Sequence, residues 1–168
     1  MKGKFICHEL FEDRKPVNVF HQEEDGTVVK SPEEKLKDKH ILFRKKFSLA
    51  KTKDAMLKIT ADDYFKLYIN GKFVTQGPPP SYPQAYYYME IPVENFLVKG
   101  ENVIAVHTLY QGLINRVWVS GDERECLWAE LTFGEETVLS TDESWLCSIH
   151  SGYVPVGIAG YDTQFFES

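Results

Sequence analysis

At 168 residues, 43% of them hydrophobic, the chain is long enough for one domain that buries roughly 70% of the surface its unfolded form would expose. Twenty-five acidic residues against 19 basic ones leave a net charge of −6, which excludes the basic footprint that nucleic acid or an anionic membrane requires. Neutral partners, sugars or proteins, suit this balance.

Residues 1–39 hold no sustained period. A short strand fits 17–20, and the charge run 33–39 reads as a solvated turn; together they are expected to form an N-terminal arm packing on a β-sandwich built from the strands beyond it. From His40 the period becomes two. Ile41, Phe43, Phe47 and Leu49 share one face of a strand ending near Ala50, with Lys45 breaking the row and therefore expected at a sheet edge or bulge. Leu57 and Ile59 alternate with polar neighbours over 55–60, then Phe65, Leu67 and Ile69 do so up to Asn70-Gly71. Both central positions of a type I′ turn need positive φ, which Asn and Gly tolerate best, so a two-residue hairpin is predicted with its return strand at 72–76.

Beyond the hairpin, Pro78, Pro79, Pro80 and Pro83 withhold backbone donors from any ladder, while Tyr82, Tyr86, Tyr87 and Tyr88 supply large amphipathic rings. Residues 86–91 read as a strand closed by Pro92, followed by one helical turn near 93–97. After a turn signal at 99–102, residues 103–110 are apolar on both faces, as a central strand would be. Leu127, Ala129, Leu131 and Phe133 alternate with Trp128, Glu130 and Thr132 as a half-buried strand stopping at Gly134, and 137–140 and 145–149 add two more. Eight or nine short strands with regular turn signals and no 3.6-residue period predict an all-β protein, an antiparallel β-sandwich of jelly-roll type over 40–152. Residues 153–168 are expected to be a C-terminal segment apart from the sandwich, leading toward a following domain.

The chemistry-bearing residues give little support to catalysis. Asp62-Asp63, Asp122-Glu123 and Asp142-Glu143 are flanked by turn signals, where Asp stabilises the backbone locally, and read as turn residues rather than a glycosidic acid pair or a calcium loop. The histidines His8, His21, His40, His107 and His150 lack metal-ligand spacing; His107, mid-strand, reads as a hydrogen-bonded core or interface histidine. Ser81 and Ser120 lack a nucleophile elbow. No catalytic residue, metal or cofactor is assigned. Cys7, Cys126 and Cys147 form no C-x-x-C pair, and the amino terminus has no apolar stretch of signal-peptide length, so the chain reads as cytoplasmic, with no membrane span.

The candidate contact residues are Tyr82, Tyr86, Asn115, Arg116 and Trp118. Rings pack on the C–H faces of sugars, and amide and guanidinium groups bond their hydroxyls. The same residues suit docking on a neighbouring domain, and Tyr and Trp enrichment is expected in either case.

Several runs carry a resemblance to a known family: F-R-K-K-F at 43–47, A-D-D-Y-F-K-L-Y-I-N-G-K at 61–72, G-P-P-P-S-Y-P at 77–83, G-E-N-V-I-A-V at 100–106, Y-Q-G-L-I-N-R-V-W at 110–118, T-D-E-S-W at 141–145 and G-Y-D-T-Q-F-F-E at 160–167. From about Phe43 onward the chain resembles the N-terminal non-catalytic β-sandwich domain of bacterial α-L-rhamnosidases. The strand ending in N-G and the later G-x-N-x-I-x-V strand are also similar to the galactose-binding-domain-like sandwiches of other glycoside hydrolases. What the resemblance implies is an accessory part that is not itself an enzyme. In that family hydrolysis belongs to acidic residues in a helical barrel further along the polypeptide. Its partners would be a rhamnose-containing glycan or the later domains of the parent enzyme. A free-standing, lectin-like carbohydrate-binding module is the alternative. The apolar run after Gly152, with Tyr161, Phe165 and Phe166, is expected to meet a next domain, or to drive self-association where none is present.

Overall fold

The computed structural model describes residues 2–11, 39–79, 86–110 and 126–153. Among them nine strands form two antiparallel sheets, the sandwich that the period-two pattern predicts. One sheet joins β4 (Lys72–Gly77), β3 (Tyr64–Ile69), β6 (Gly100–Tyr110), β1 (Lys39–Leu49) and β9 (Leu146–Ile149) in that order. The other joins β5 (Met89–Pro92), β2 (Ala55–Ala61), β7 (Leu127–Phe133) and β8 (Glu136–Ser140). Alternation decides which side chains meet between them. Ile41 and Phe43 of β1, Leu57 and Ile59 of β2, Phe65, Leu67 and Ile69 of β3, and Ile104 and Val106 of β6 are all buried in one core. Leu127, Leu131 and Trp145 belong to the same core. β6 is the middle strand of its sheet and is buried without interruption from Val106 to Tyr110, as an apolar run on both faces requires.

The Asn70-Gly71 hairpin has the expected geometry: Ile69 pairs with Lys72, and both turn residues have positive φ, 51° and 77°. The helical turn is a single 3₁₀ turn at Glu94–Phe96. Three expectations are narrowed or changed. Strand β5 begins at Met89, so Tyr86, Tyr87 and Tyr88 precede it instead of forming its start. Lys45 makes no bulge, because β1 and β6 pair in unbroken register from Lys39↔Tyr110 to Leu49↔Gly100; the register shifts lie at Leu67/Tyr68 and Leu131/Thr132. It takes the edge alternative: Lys45 is the first residue past the end of β9, which covers β1 only from Ile41 to Arg44, and its ammonium reaches across that edge to Ser144 Oγ and, at 3.9 Å, to Asp142.

The third change is β7, which is buried along its whole length and not by half. The N-terminal segment covers its second face. Ile6 and Leu127 exchange backbone hydrogen bonds of 2.9 and 2.8 Å, Lys4 N–H donates to Thr141 O at 3.0 Å, and the amides of Lys2 and Gly3 both donate to Glu130 Oε1. The buried indole of Trp128 also meets the Tyr88 ring edge-on at 5.9 Å. The strand expected at 17–20, the polar run before Lys39 and the segment after Tyr153 lie outside the described residues.

Candidate functional site

Antiparallel pairing gathers many strand ends at one end of the sandwich. Lys39 pairs with Tyr110, Ile41 with Ile149, Ala61 with Leu127, Tyr64 with Leu109 and Phe65 with Gly77. The strand ends Ala61 and Tyr64, Gly77 and Met89, and Tyr110 and Leu127 therefore lie there. The Asp62-Asp63 link ties the two sheets together: Asp62 N–H donates to Cys126 O and Asp63 N–H to Leu109 O, both at 3.0 Å. Both residues are buried, and Asp62 Oδ2 accepts a 3.0 Å hydrogen bond from Tyr86 OH. This acidic pair acts as turn structure, in line with its flanking turn signals.

Of the five candidate contact residues, Tyr86 is described. Its ring is half-buried and tilts at 57° against Phe5, with centroids 5.6 Å apart, so hydroxyl and ring are both held. Tyr87 and Tyr88 beside it are exposed. Thr60 Oγ1 donates to Tyr87 O at 2.7 Å, and Lys58 Nζ lies 5.9 Å from the Tyr88 ring. Tyr82, Asn115, Arg116 and Trp118 lie outside the described residues.

A second group at this end has no counterpart among the sequence motifs. His40 Nδ1 and His107 Nε2 lie 2.9 Å apart, so one ring nitrogen donates and the other accepts. His150 stacks on His107 with centroids 5.3 Å apart, and the Tyr153 ring lies over His40 at 4.0 Å and 14°. Burial holds the imidazoles neutral: it pushes His40 down to about 4 and His107 down to about 3, with His150 and Lys66 adding to both. The two histidines are 67 positions apart, and only the β1–β6 register makes them neighbours. His107 is thus the hydrogen-bonded interior histidine its mid-strand position suggests. Among the described residues no group of three or more His, Cys, Asp or Glu is placed to hold a metal ion, and no helix is long and apolar enough to cross a membrane.

No protein-family model matches the chain, and no curated protein sequence matches it. Solved structures do. The GH78 family rhamnosidase of Bacillus sp. GL1 is similar at 32% identity with a TM-score of 0.64, over 69% of this chain and 12% of that one. The α-L-rhamnosidase from Aspergillus terreus is similar at 25% identity with a TM-score of 0.50, over 66% of this chain and 14% of that one. The α-L-rhamnosidase from Dictyoglumus thermophilum, at 23% identity and a TM-score of 0.52 over 68% and 14%, supports the fold alone. The chain thus spans 12–14% of the length of these enzymes. In fold and in sequence it is similar to a small β-sandwich portion of the GH78 rhamnosidases.

Proposed function

We propose that this chain is an accessory, non-catalytic β-sandwich of an α-L-rhamnosidase-like glycoside hydrolase, one that supports a catalytic domain elsewhere in the polypeptide and contacts carbohydrate. The observation that carries this reading is the mismatch of extents. About two thirds of the chain is similar to the Bacillus enzyme, yet that similarity accounts for 12% of the enzyme. Local chemistry supports it. Asp62 and Asp63 are buried in a backbone link, and Asp142 accepts hydrogen bonds from the amide and hydroxyl of Ser144 within its own turn. Neither couple is a pair of carboxyls facing each other across a bond to be cleaved.

The purified chain is expected to leave aryl α-L-rhamnosides intact, while removal of the same sandwich from a longer rhamnosidase lowers that enzyme's stability. Turnover by the purified chain that disappears on substitution of one carboxylate within it would overturn the assignment. The free-standing module is the outcome indicated if sugar binding is found and the gene encodes no further domain.

A further inference from the structure

Where the N-terminal segment faces β9, a cleft of about 400 Å³ opens between the edges of the two sheets. One wall is the N-terminal segment beside β7; the other is β9 with the turn that precedes it. Phe43 and Trp145 line its inner surface, both buried, and Trp145 is fixed by its indole N–H donating to Ser140 O at 3.0 Å. Phe5 lines the mouth with 45% of its surface exposed and is braced by the Tyr86 ring. Charges on the rim come in matched couples. Lys4 Nζ lies 2.8 Å from Glu143 Oε1, and Lys45 Nζ lies 3.9 Å from Asp142 Oδ1.

We propose that this cleft is a carbohydrate subsite taking a neutral pyranose, its C–H face on Phe5 and its hydroxyls on Lys4, Asp142 and Glu143. The volume falls in the lower part of the roughly 300–1,000 Å³ range of small-molecule sites, which suits one or two sugar rings. Sugar hydroxyls both donate and accept, and the rim supplies carboxylates that accept beside an ammonium that donates. Because each acid already faces a lysine, a charged ligand would have to displace a partner, whereas a neutral one bridges the couple without breaking it. A fixed, half-exposed ring beside such a rim needs no rearrangement to stack on a pyranose. This site deepens the carbohydrate-contact part of the proposed function and rests on it.

The cleft carries its own reporters. Cys7 and Cys147 are exposed and stand on opposite walls, while Cys126 is buried elsewhere. Partial burial and the nearby charge of Glu9 raise the Cys147 thiol, which slows its alkylation. The test titrates the full chain with L-rhamnose, D-galactose and D-glucose, tracking the Trp145 indole N–H by NMR and the alkylation rate of each thiol. At least one sugar is expected to bind with a dissociation constant on the order of 1 mM, to shift Trp145 saturably and to slow both exposed thiols. Phe5→Ala should weaken binding about tenfold while Leu127 keeps its amide-exchange protection, which shows the N-terminal segment still docked. Glu143→Gln, a change on a fully exposed side chain that leaves the fold intact, should weaken it less. Shifts confined to the Tyr82 to Trp118 loops would overturn the cleft yet leave carbohydrate contact standing. Silence with every sugar would remove both.

Discussion

Two asparagines far apart in the sequence close one corner of the sandwich. Asn102 is buried and uses all its hydrogen-bonding capacity there. Its Oδ1 accepts from Val98 N–H and Asn70 Nδ2, each at 2.9 Å, and its Nδ2 donates to Val98 O and Gly100 O at 2.7 and 2.9 Å. Asn70 in turn accepts from Val103 N–H at 2.9 Å, so the N-G turn and the G-E-N-V strand start are clamped together. This is why both motifs are needed at once, a relation that turn chemistry alone leaves invisible. Asn102→Asp keeps the shape but puts acceptors against two carbonyls, and is expected to cost roughly 3 kcal/mol or more, read as a lower denaturant midpoint. Gly71 is a purely backbone case. A Cβ there meets nothing within 4 Å, but φ is +77°. Gly71→Val should cost about 1–3 kcal/mol through strain alone, and an unchanged midpoint would show that the turn relaxes to another geometry at no cost.

At the scale of elements, the strand pattern was legible because period two survives wherever one face meets the core. It failed at β7, where Trp128, Glu130 and Thr132 look like a solvent face and are buried. Over Trp128 and Glu130 the cover is the N-terminal segment, which carries no periodic signal of its own and is ordered by the very groups it hides. Gly3 shows how close that cover sits. An added Cβ would lie 3.0 Å from Trp128 Nε1 and 3.1 Å from Thr141 Oγ1. Gly3→Val should therefore lift the segment, strip a donor from the buried Glu130 carboxylate and destabilise by about 1–3 kcal/mol. Hydrogen exchange checks it directly: the amides of Ile6 and Leu127, paired to each other, should lose protection while those of β1 and β6 keep theirs. Parent-like protection at Leu127 would mean the segment is held by contacts other than these. Lys45 was legible only as an edge or a bulge; the length of β9 decides for the edge, and four exposed residues give no sign of where it begins.

Over the whole molecule, the sequence shows which loops carry rings but not which side chains the closed topology brings face to face. The histidine pair is the clearest instance, because three strand ends and Tyr153 assemble it. Lys66 and the His150 imidazole lower both rings further, and Lys39 lowers His40. That environment fixes how stability depends on pH. In the unfolded chain a histidine takes up its proton near pH ~6.5. Folded, His40 does so only at about 4 and His107 at about 3. Across the interval the unfolded state binds more protons, so stability is complete above the unfolded value and is lost progressively as pH falls toward the folded ones. Each ring contributes at most about 1.4 kcal/mol per pH unit, and a loss of roughly 2–3 kcal/mol is expected between about pH 6.5 and 5. Asp142 and Glu143 are also shifted, but downward, so their contribution is lost only at more acidic pH and does not enter this window. Urea unfolding at about pH 7.5, 6 and 5 should show the midpoint falling for the parent and staying nearly level for His40→Leu combined with His107→Leu. Equal pH slopes in the two proteins would mean that the pair accepts a proton within its 2.9 Å contact at no cost to the fold.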